Sequence, residues 1–437
     1  MKRYLSKNEP MILDALEQAR KLGASAASIA YSHSQSSDIS FEANRLKEGA
    51  ASESQYFNVS VVVNHRGGNA SGNNPDKLPE IVKSACELAT FGAVAHFDEY
   101  PPPAKAFANP KTYSPDVKEY TTDRQVADCQ ELVDRMLAED DSLVCGAGAD
   151  TSECELMMAH TGGFKSAVNV SRWQLYGGCQ KTTGTDMLFS GYARSWGEMN
   201  PLFYNKDEIL KEIFFDLRHA SRIVKTESGT LPLIIPPFAI SRFLGPIAGA
   251  INGLNVAKGT SPLRDKLHTQ CFATNLSILD NPHIDFSGTA VAYDGSGIPT
   301  QKRMLVENGV PNLFLYDYDT ACMTGNAPTG NAGSAPYSML VSPGTESHDS
   351  LIKSIKRGIY VRRLLGFGQT NMANGDFSAN LSLGFLVEDG EIVGRVKDAM
   401  ISGNIFELLK GEIQFSSDID PYVMQPYMIM PGVNLKV

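Results

Sequence analysis

The residues of this 437-residue chain that could hold a metal or a proton include eight histidines, at positions 33, 65, 96, 160, 219, 268, 283 and 348. A zinc peptidase commonly carries two histidines on one helix with a glutamate beside the first, because the metal takes imidazole nitrogens and the attacking water needs a base. No two of these histidines fall three to five residues apart, so a metal site would have to be assembled over long range. Nucleotide loops are equally weak. GCQKTTG (178–184) has a lysine and threonines without the glycine spacing of a phosphate loop, and GFGQTN (366–371) has only the first two glycines of a dinucleotide fingerprint. Ser296 in YDGSGIP lacks the G-x-S-x-G frame that exposes a nucleophilic serine, so that segment reads as a turn.

Two other patterns stand out. Asn and Gly cluster in TGNAPTGNAGS (324–334), NMANGDFSAN (371–380) and ISGNIFELL (401–409). Glycine lets a backbone approach closely and Asn can pair with both donors and acceptors of an extended peptide, while the same residues also serve as plain turns between strands. The second pattern is FAISRFLGPIAGAINGLN (238–255), where Gly245, Gly249 and Gly253 recur every four residues around Pro246. Read as one helix, this places three glycines on one face, where another backbone can approach. Pro246 and the glycines would weaken such a helix in isolation, by roughly 3 kcal/mol for the proline and 1 kcal/mol per glycine.

The elements that must position these residues follow from periodicity. Helices are expected at 9–23, at 75–92 with Leu78, Ile81, Val82, Ala85 and Leu88 on one face, at 121–139 and at 206–226. Alternation in SDISFEA and FNVSVVV gives antiparallel strands, and LPLIIPP reads as a short buried strand closed by prolines. TESHDSLIKSIKRG reads as a helix with Gly358 as its terminating residue, so the candidate basic patch of Lys353, Lys356, Arg357, Arg362 and Arg363 reads as a solvated helix end, its first three members complementing the helix dipole, rather than a phosphate site. Residues 97–116 contain five prolines and form an extended connector. The expected class is α+β, divided into an N-terminal α+β domain (1–110), a middle α+β segment (111–226) and a strand-rich C-terminal domain (227–437).

A net charge of −10 argues against direct nucleic-acid binding, which draws its affinity from neutralising phosphates. The N-terminus turns amphipathic directly after its first basic residues and seven cysteines form no C-x-x-C pair, so a cytoplasmic chain with free thiols and no membrane span is expected.

AYDGSGIPTQKRMLVENGV (292–310), the TGNAPTGNAG loop, NGDFS (374–378), GFLVEDGEIVGRV (384–396) and ISGN (401–404), with a looser HRGGNAS (65–71), resemble the TldD/PmbA family, historically named modulators of DNA gyrase. TldD-like members carry His-Glu-x-x-x-His on the helix before a G-[TS]-S segment and a further cysteine near the C-terminus. Counting back from Gly259, Thr260 and Ser261 puts those positions at Leu244, Gly245 and Gly249, and no cysteine follows Cys322. Ser296 also stands where many relatives carry an acidic residue.

The resemblance therefore implies the PmbA/TldE branch of a metalloprotease family. Its members pair with a TldD-like subunit in a heteromeric zinc protease of small or unfolded peptides. On that reading this chain has no cofactor of its own, the zinc sits on the partner, and the chain helps form a peptide-holding chamber. The candidates for peptide or subunit contact are Gly253, Asn326, Thr329, Asn331, Asn374 and Asp376. Two rival readings stand beside it: a self-sufficient homodimeric hydrolase with an unrecognised site, and a protein-binding modulator of gyrase.

Overall fold

The computed structural model describes residues 8–369 and 371–437, so the basic start of the chain and Thr370 of GFGQTN lie outside the described residues. The fold is α+β, in two compact units. One runs to residue 210 and adds 282–301 and 316–333; the other holds 211–281, 302–315 and 334–437.

The first unit is built on one sheet in the order β3-β2-β1-β4-β5-β6. Its strands are β1 (Ala26–Glu42), β2 (Arg45–Val63), β3 (Arg66–Gly72), β4 (Val144–His160), β5 (Lys165–Thr183) and β6 (Asp186–Trp196). Helices α1 (Glu9–Lys21), α2 (Leu78–Leu88) and α3 (Thr122–Glu139) form where apolar residues recur at helical spacing. In α1 the buried set is Ile12, Ala15, Leu16 and Ala19, and in α2 it is Leu78, Ile81, Val82 and Ala85.

The expected boundary near residue 110 is not a break in this sheet. Strands β1 and β4 pair antiparallel from Ser28–His160 to Phe41–Ala147, so the segments 1–110 and 111–226 each supply three strands to one structure. An unpaired β1 edge would expose a long row of amides, and β4 covers it. Both segments run helix, three-stranded meander, helix, with first strands of 17 residues and second strands of 19. The topology repeats although the sequence shows no period.

Helix α4 (Lys206–Ala220) stops short of the expected 226, because Ile223 and Val224 form the two-residue strand β7. In the second unit, β8 (Gly229–Ile235) is followed by helices α5 (Ile240–Ala250) and α6 (Gly253–Ala257). A small sheet then forms from β9 (Ile278–Asp280), β10 (Arg303–Glu307), β11 (Val310–Pro311) and β12 (Met339–Val341). The chain continues through α7 (Tyr318–Thr324, in the first unit), α8 (His348–Lys353), β13 (Arg357–Leu365), β14 (Asp376–Glu388), β15 (Glu391–Val396), β16 (Met400–Asn404), α9 (Ile405–Leu408), β17 (Gln414–Asp420) and β18 (Gln425–Lys436). The pairings β13–β8, β8–β18, β18–β16, β16–β14 and β14–β13 close a five-stranded ring, with β15, β7 and β17 attached outside it.

Two expectations change in this unit. Helix α8 ends at Lys353, and Gly358 is a strand residue because β8 and β14 recruit the chain from Arg357 onward. Arg362 is not part of a solvated basic patch. It is buried, its Nε donates to Asp216 at 2.6 Å, its Nη2 to Glu212 at 2.6 Å, and its guanidinium lies over Phe215 and Phe238. Among the described residues no helix is long and apolar enough to cross a membrane.

Candidate functional site

The stretch 238–255 is two helices, not one. After the turn Pro237–Ala239, α5 ends at Ala250 and Asn252 leaves the helical region at φ −68°, ψ 118°. The cause lies in Leu315: its N–H donates to the Ile251 carbonyl at 2.9 Å and its carbonyl accepts from Gly253 N–H at 2.8 Å, so backbone groups on both sides of Asn252 are taken from the helix ladder. The Asn252 side chain then starts α6 by accepting from the N–H groups of Leu254 and Asn255.

One face of α5 is core. Ile240, Phe243, Leu244 and Ile247 are fully buried, and the Phe243 ring meets those of Phe367 and Phe377 at 5.0 and 5.9 Å. Leu244 thus belongs to the apolar interior. The glycine face is different: Gly245 is exposed, Gly249 partly so, and a Cβ built at either would meet no atom within 4 Å. Contrary to the expectation from their spacing, Gly245, Gly249 and Gly253 do not share one face against another backbone. The break at Asn252 removes Gly253 from that face, where it is buried and bonded to Leu315, and the other two border an open depression of about 250 Å³. Its walls include Asn255, Thr260, Pro262 and Met372.

Gly245 has a local reason as well. In the helical region a residue before proline brings its Cβ against the Pro Cδ, a contact that glycine lacks. The G-T-S segment that follows serves the end of α5: Ser261 Oγ donates to the Ala250 carbonyl at 2.5 Å, and Asn255 Nδ2 donates to the Gly249 carbonyl at 2.9 Å. These bonds satisfy carbonyls that a helix terminus leaves open.

As a zinc site these positions do not fit. Leu244 offers no lone pair, Gly245 and Gly249 offer no side chain, and among the described residues no group of three or more His, Cys, Asp or Glu side chains is placed to hold a metal ion.

The remaining candidate residues separate into two sets. Asn374 and Asp376 lie in the second unit on the turn whose Met372 and Ala373 border the depression. Asn404 of the ISGN motif holds that turn, with Nδ2 donating to the Asn374 carbonyl at 2.9 Å and to Asp376 Oδ1 at 2.8 Å while Oδ1 caps α9. Asn326, Thr329 and Asn331 lie in the first unit. Thr329 Oγ1 both accepts from Tyr316 N–H and donates to Tyr316 C=O, so it closes the loop, and Asn331 is buried. Only Asn326 of the three is exposed, with Nδ2 donating to Thr324 Oγ1. Gly330 has φ +76° with the Pro299 carbonyl oxygen 2.2 Å from where a Cβ would stand, a close approach that requires glycine.

His160, at the end of β4, acquires its significance only in the fold. Its Nδ1 accepts from Gly162 N–H and its Nε2 lies 3.1 Å from the Ser296 carbonyl, which fixes the neutral Nε2–H form and anchors the YDGSG turn. Burial pushes its pKa down to about 4. Ser296 is a turn residue, as its sequence context suggests. A larger cavity of about 560 Å³ lies in the same unit, with Tyr31, Tyr56, Leu156, Met158 and Val170 among its lining residues.

With this geometry in place, the class is defined by two matches: residues 228–436 match the PmbA/TldA metallopeptidase C-terminal domain and residues 27–89 match PmbA/TldA metallopeptidase domain 1. The chain belongs to the TldD/PmbA family. It is 34% identical to a metalloprotease of Methanothermobacter thermautotrophicus over 46% of each chain. It is 26% identical to a metalloprotease PmbA homologue of Haemophilus influenzae over 93% of this chain and 90% of that one. For the first of these, the matched segment spans only about half the relative's length. The fold is shared with TldE from Thermococcus kodakarensis at a TM-score of 0.86, with 22% identity, 98% of this chain and 100% of the other covered.

Proposed function

We propose that this chain is a PmbA/TldE-like subunit that does not cleave peptides by itself but pairs with a metal-bearing TldD-like chain and helps hold small or unfolded peptides for it. The observation that carries the reading is the replacement of a ligand-bearing helix face by Leu244, Gly245 and Gly249. One of these is packed in the core and two border an open depression. A hydrolytic metal needs ligands and a base to activate water, and these positions supply neither. Glycines that leave an open surface, next to the turn carrying Asn374 and Asp376, suit close approach by a peptide backbone or a partner chain.

The test combines the purified chain with the TldD-like chain of the same organism. The reading expects a defined hetero-complex by light scattering, zinc only on the partner, and chelator-sensitive cleavage of unstructured peptides that neither chain gives alone. Stoichiometric zinc in the isolated chain with chelator-sensitive cleavage, or a partner whose activity is the same with and without this chain, overturns it.

A further inference from the structure

The sheet of the first unit brings two cysteines face to face. Three of the seven cysteines lie in its strands, and in the β4–β5 register Cys145 stands directly opposite Cys179, whereas Cys154 faces Val170. Cys145 and Cys179 are reduced thiols, buried on the face that also buries Ala147, Ala149, Trp173 and Leu175.

The type of pairing decides what two opposed thiols can do. Opposite residues in an antiparallel ladder either exchange two backbone hydrogen bonds or none, and the second kind stand closer, with Cα atoms about 4.5 Å apart. Cys145 directs its backbone away from β5: its N–H donates to Asn44 Oδ1 at 2.5 Å and its carbonyl accepts from Asn44 N–H at 3.0 Å. Asn44 belongs to the turn between β1 and β2, and β1 flanks β4 on the side opposite β5. The β4–β5 register runs without a shift, so the ladder bonds fall to the neighbouring pairs Val144–Gln180 and Gly146–Gly178, and Cys145–Cys179 is a close pair without backbone bonds. A disulfide needs Cα atoms roughly 4.4–6.8 Å apart with side chains on the same side, and this pair meets both conditions at the short end of the range. A link formed at that end is more easily reduced than a relaxed one, which favours a bond that closes and reopens.

We infer that Cys145 and Cys179 form a reversible cross-strand disulfide, a site of two-electron oxidation within the first unit. With hydrogen peroxide as the oxidant, the Cys179 sulfur, 6% exposed against 1% for Cys145, attacks one peroxide oxygen. The O–O bond breaks, Cys179 becomes a sulfenic acid, and the departing oxygen takes up the thiol proton and leaves as water. The Cys145 sulfur then attacks the Cys179 sulfur, the S–S bond forms, and the hydroxyl leaves with the Cys145 proton as a second water. Burial, with a smaller contribution from Asp140, pushes the Cys145 thiol up to about 11, which slows the second step at neutral pH. The extent of oxidation at equilibrium is set by the potential of the pair and not by that rate. The pair needs neither the α5 depression nor a partner chain, so its test stands apart from the proposed function.

The test equilibrates the reduced, folded full chain with hydrogen peroxide, alkylates the remaining thiols in denaturant and maps tryptic fragments by mass. The expected result is a fragment linking Cys145 to Cys179, two hydrogens lighter than its parts and released by dithiothreitol, with melting of the oxidised chain raised by roughly 4 °C or more. Cys154 shares the tryptic fragment 136–165 with Cys145, so Cys154→Ser should keep the link while Cys145→Ser and Cys179→Ser each lose it. No link in the folded wild-type chain, a link that persists in Cys145→Ser, or one that forms only above the urea unfolding midpoint overturns the inference.

Discussion

Gly249 offers the sharpest separation of stability from function. Its backbone is helical, it sits in the last turn of α5, and a Cβ there meets nothing within 4 Å. Glycine in a helix interior costs about 1 kcal/mol relative to alanine, and less in a last turn, so Gly249→Ala should stabilise the isolated chain by about 0.5–1 kcal/mol. For a unit of roughly 150–250 residues that corresponds to a rise in Tm of about 1–4 °C. Gly245→Ala should not give the same gain although its surroundings are equally open. Its new Cβ would meet the Cδ of Pro246, and the net change should lie within about 0.5 kcal/mol of zero. Gly249→Leu would then fill part of the depression without touching the core. Thermal and urea denaturation measure the first effect, and peptidase activity of the mixed chains measures the second. The expected outcome is a stabilised Gly249→Ala chain and a Gly249→Leu chain that is folded but at least tenfold poorer in supporting cleavage. A destabilised Gly249→Ala chain refutes the account of the helix face, and full activity with Gly249→Leu removes the depression from peptide holding and pairing alike.

Other consequences follow from buried groups. His160 has a folded pKa of about 4, below the ordinary histidine value of 6.5, so the folded state binds fewer protons in that interval and stability should fall as pH drops from 6.5 toward 4. The loss should reach about 2–3 kcal/mol, and urea titrations at several pH values should show a flatter profile for His160→Gln. Arg362→Met takes the guanidinium from the buried Asp216 carboxylate and should cost about 3–5 kcal/mol, with Asp216→Leu in the same chain recovering most of it; an unchanged denaturation midpoint for the single variant contradicts the pairing. Leu244→His removes a fully buried leucine and inserts a polar ring, for about 3–5 kcal/mol, whereas Gly249→His faces open space and should shift stability by less than about 0.5 kcal/mol. Similar losses for both would mean that the α5 faces are wrongly assigned.

Much of the fold was legible where local physics decides it. Helices α2 and α3 carry their buried residues at helical spacing, and their ends lie within a few residues of expectation. What local pattern cannot see is competition from elsewhere in the chain. The backbone of Leu315 breaks 238–255 at Asn252, β8 and β14 claim Arg357 onward, and β4 joins what the proline-rich connector had seemed to divide. Cys145 and Cys179 lie far apart in sequence yet directly opposite each other in the β4–β5 register. At Leu244, Gly245 and Gly249 the side-chain types were legible in the sequence, but not which of them is buried in the core and which borders open space. The part His160 plays in anchoring the YDGSG turn was not legible, because it is made by contact with the Ser296 carbonyl, 136 residues away in sequence.

Leu244, Gly245 and Gly249 on α5 are not physically equivalent, and this shapes how the helix can be used. Leu244 contributes to the core beneath the helix, where burial of a leucine side chain is worth about 2–3 kcal/mol, so a polar ligand there would have to displace packing that the unit depends on. Gly249 contributes nothing to that core and leaves its surface open. Gly245 answers first to the proline that follows it. The buried face therefore keeps the helix in place through Phe243, Leu244 and Ile247, and the open face is free to take whatever shape a neighbouring backbone requires. Residue types on the open face can therefore change without loss of the framework, because the energy that holds α5 comes from the side opposite the depression.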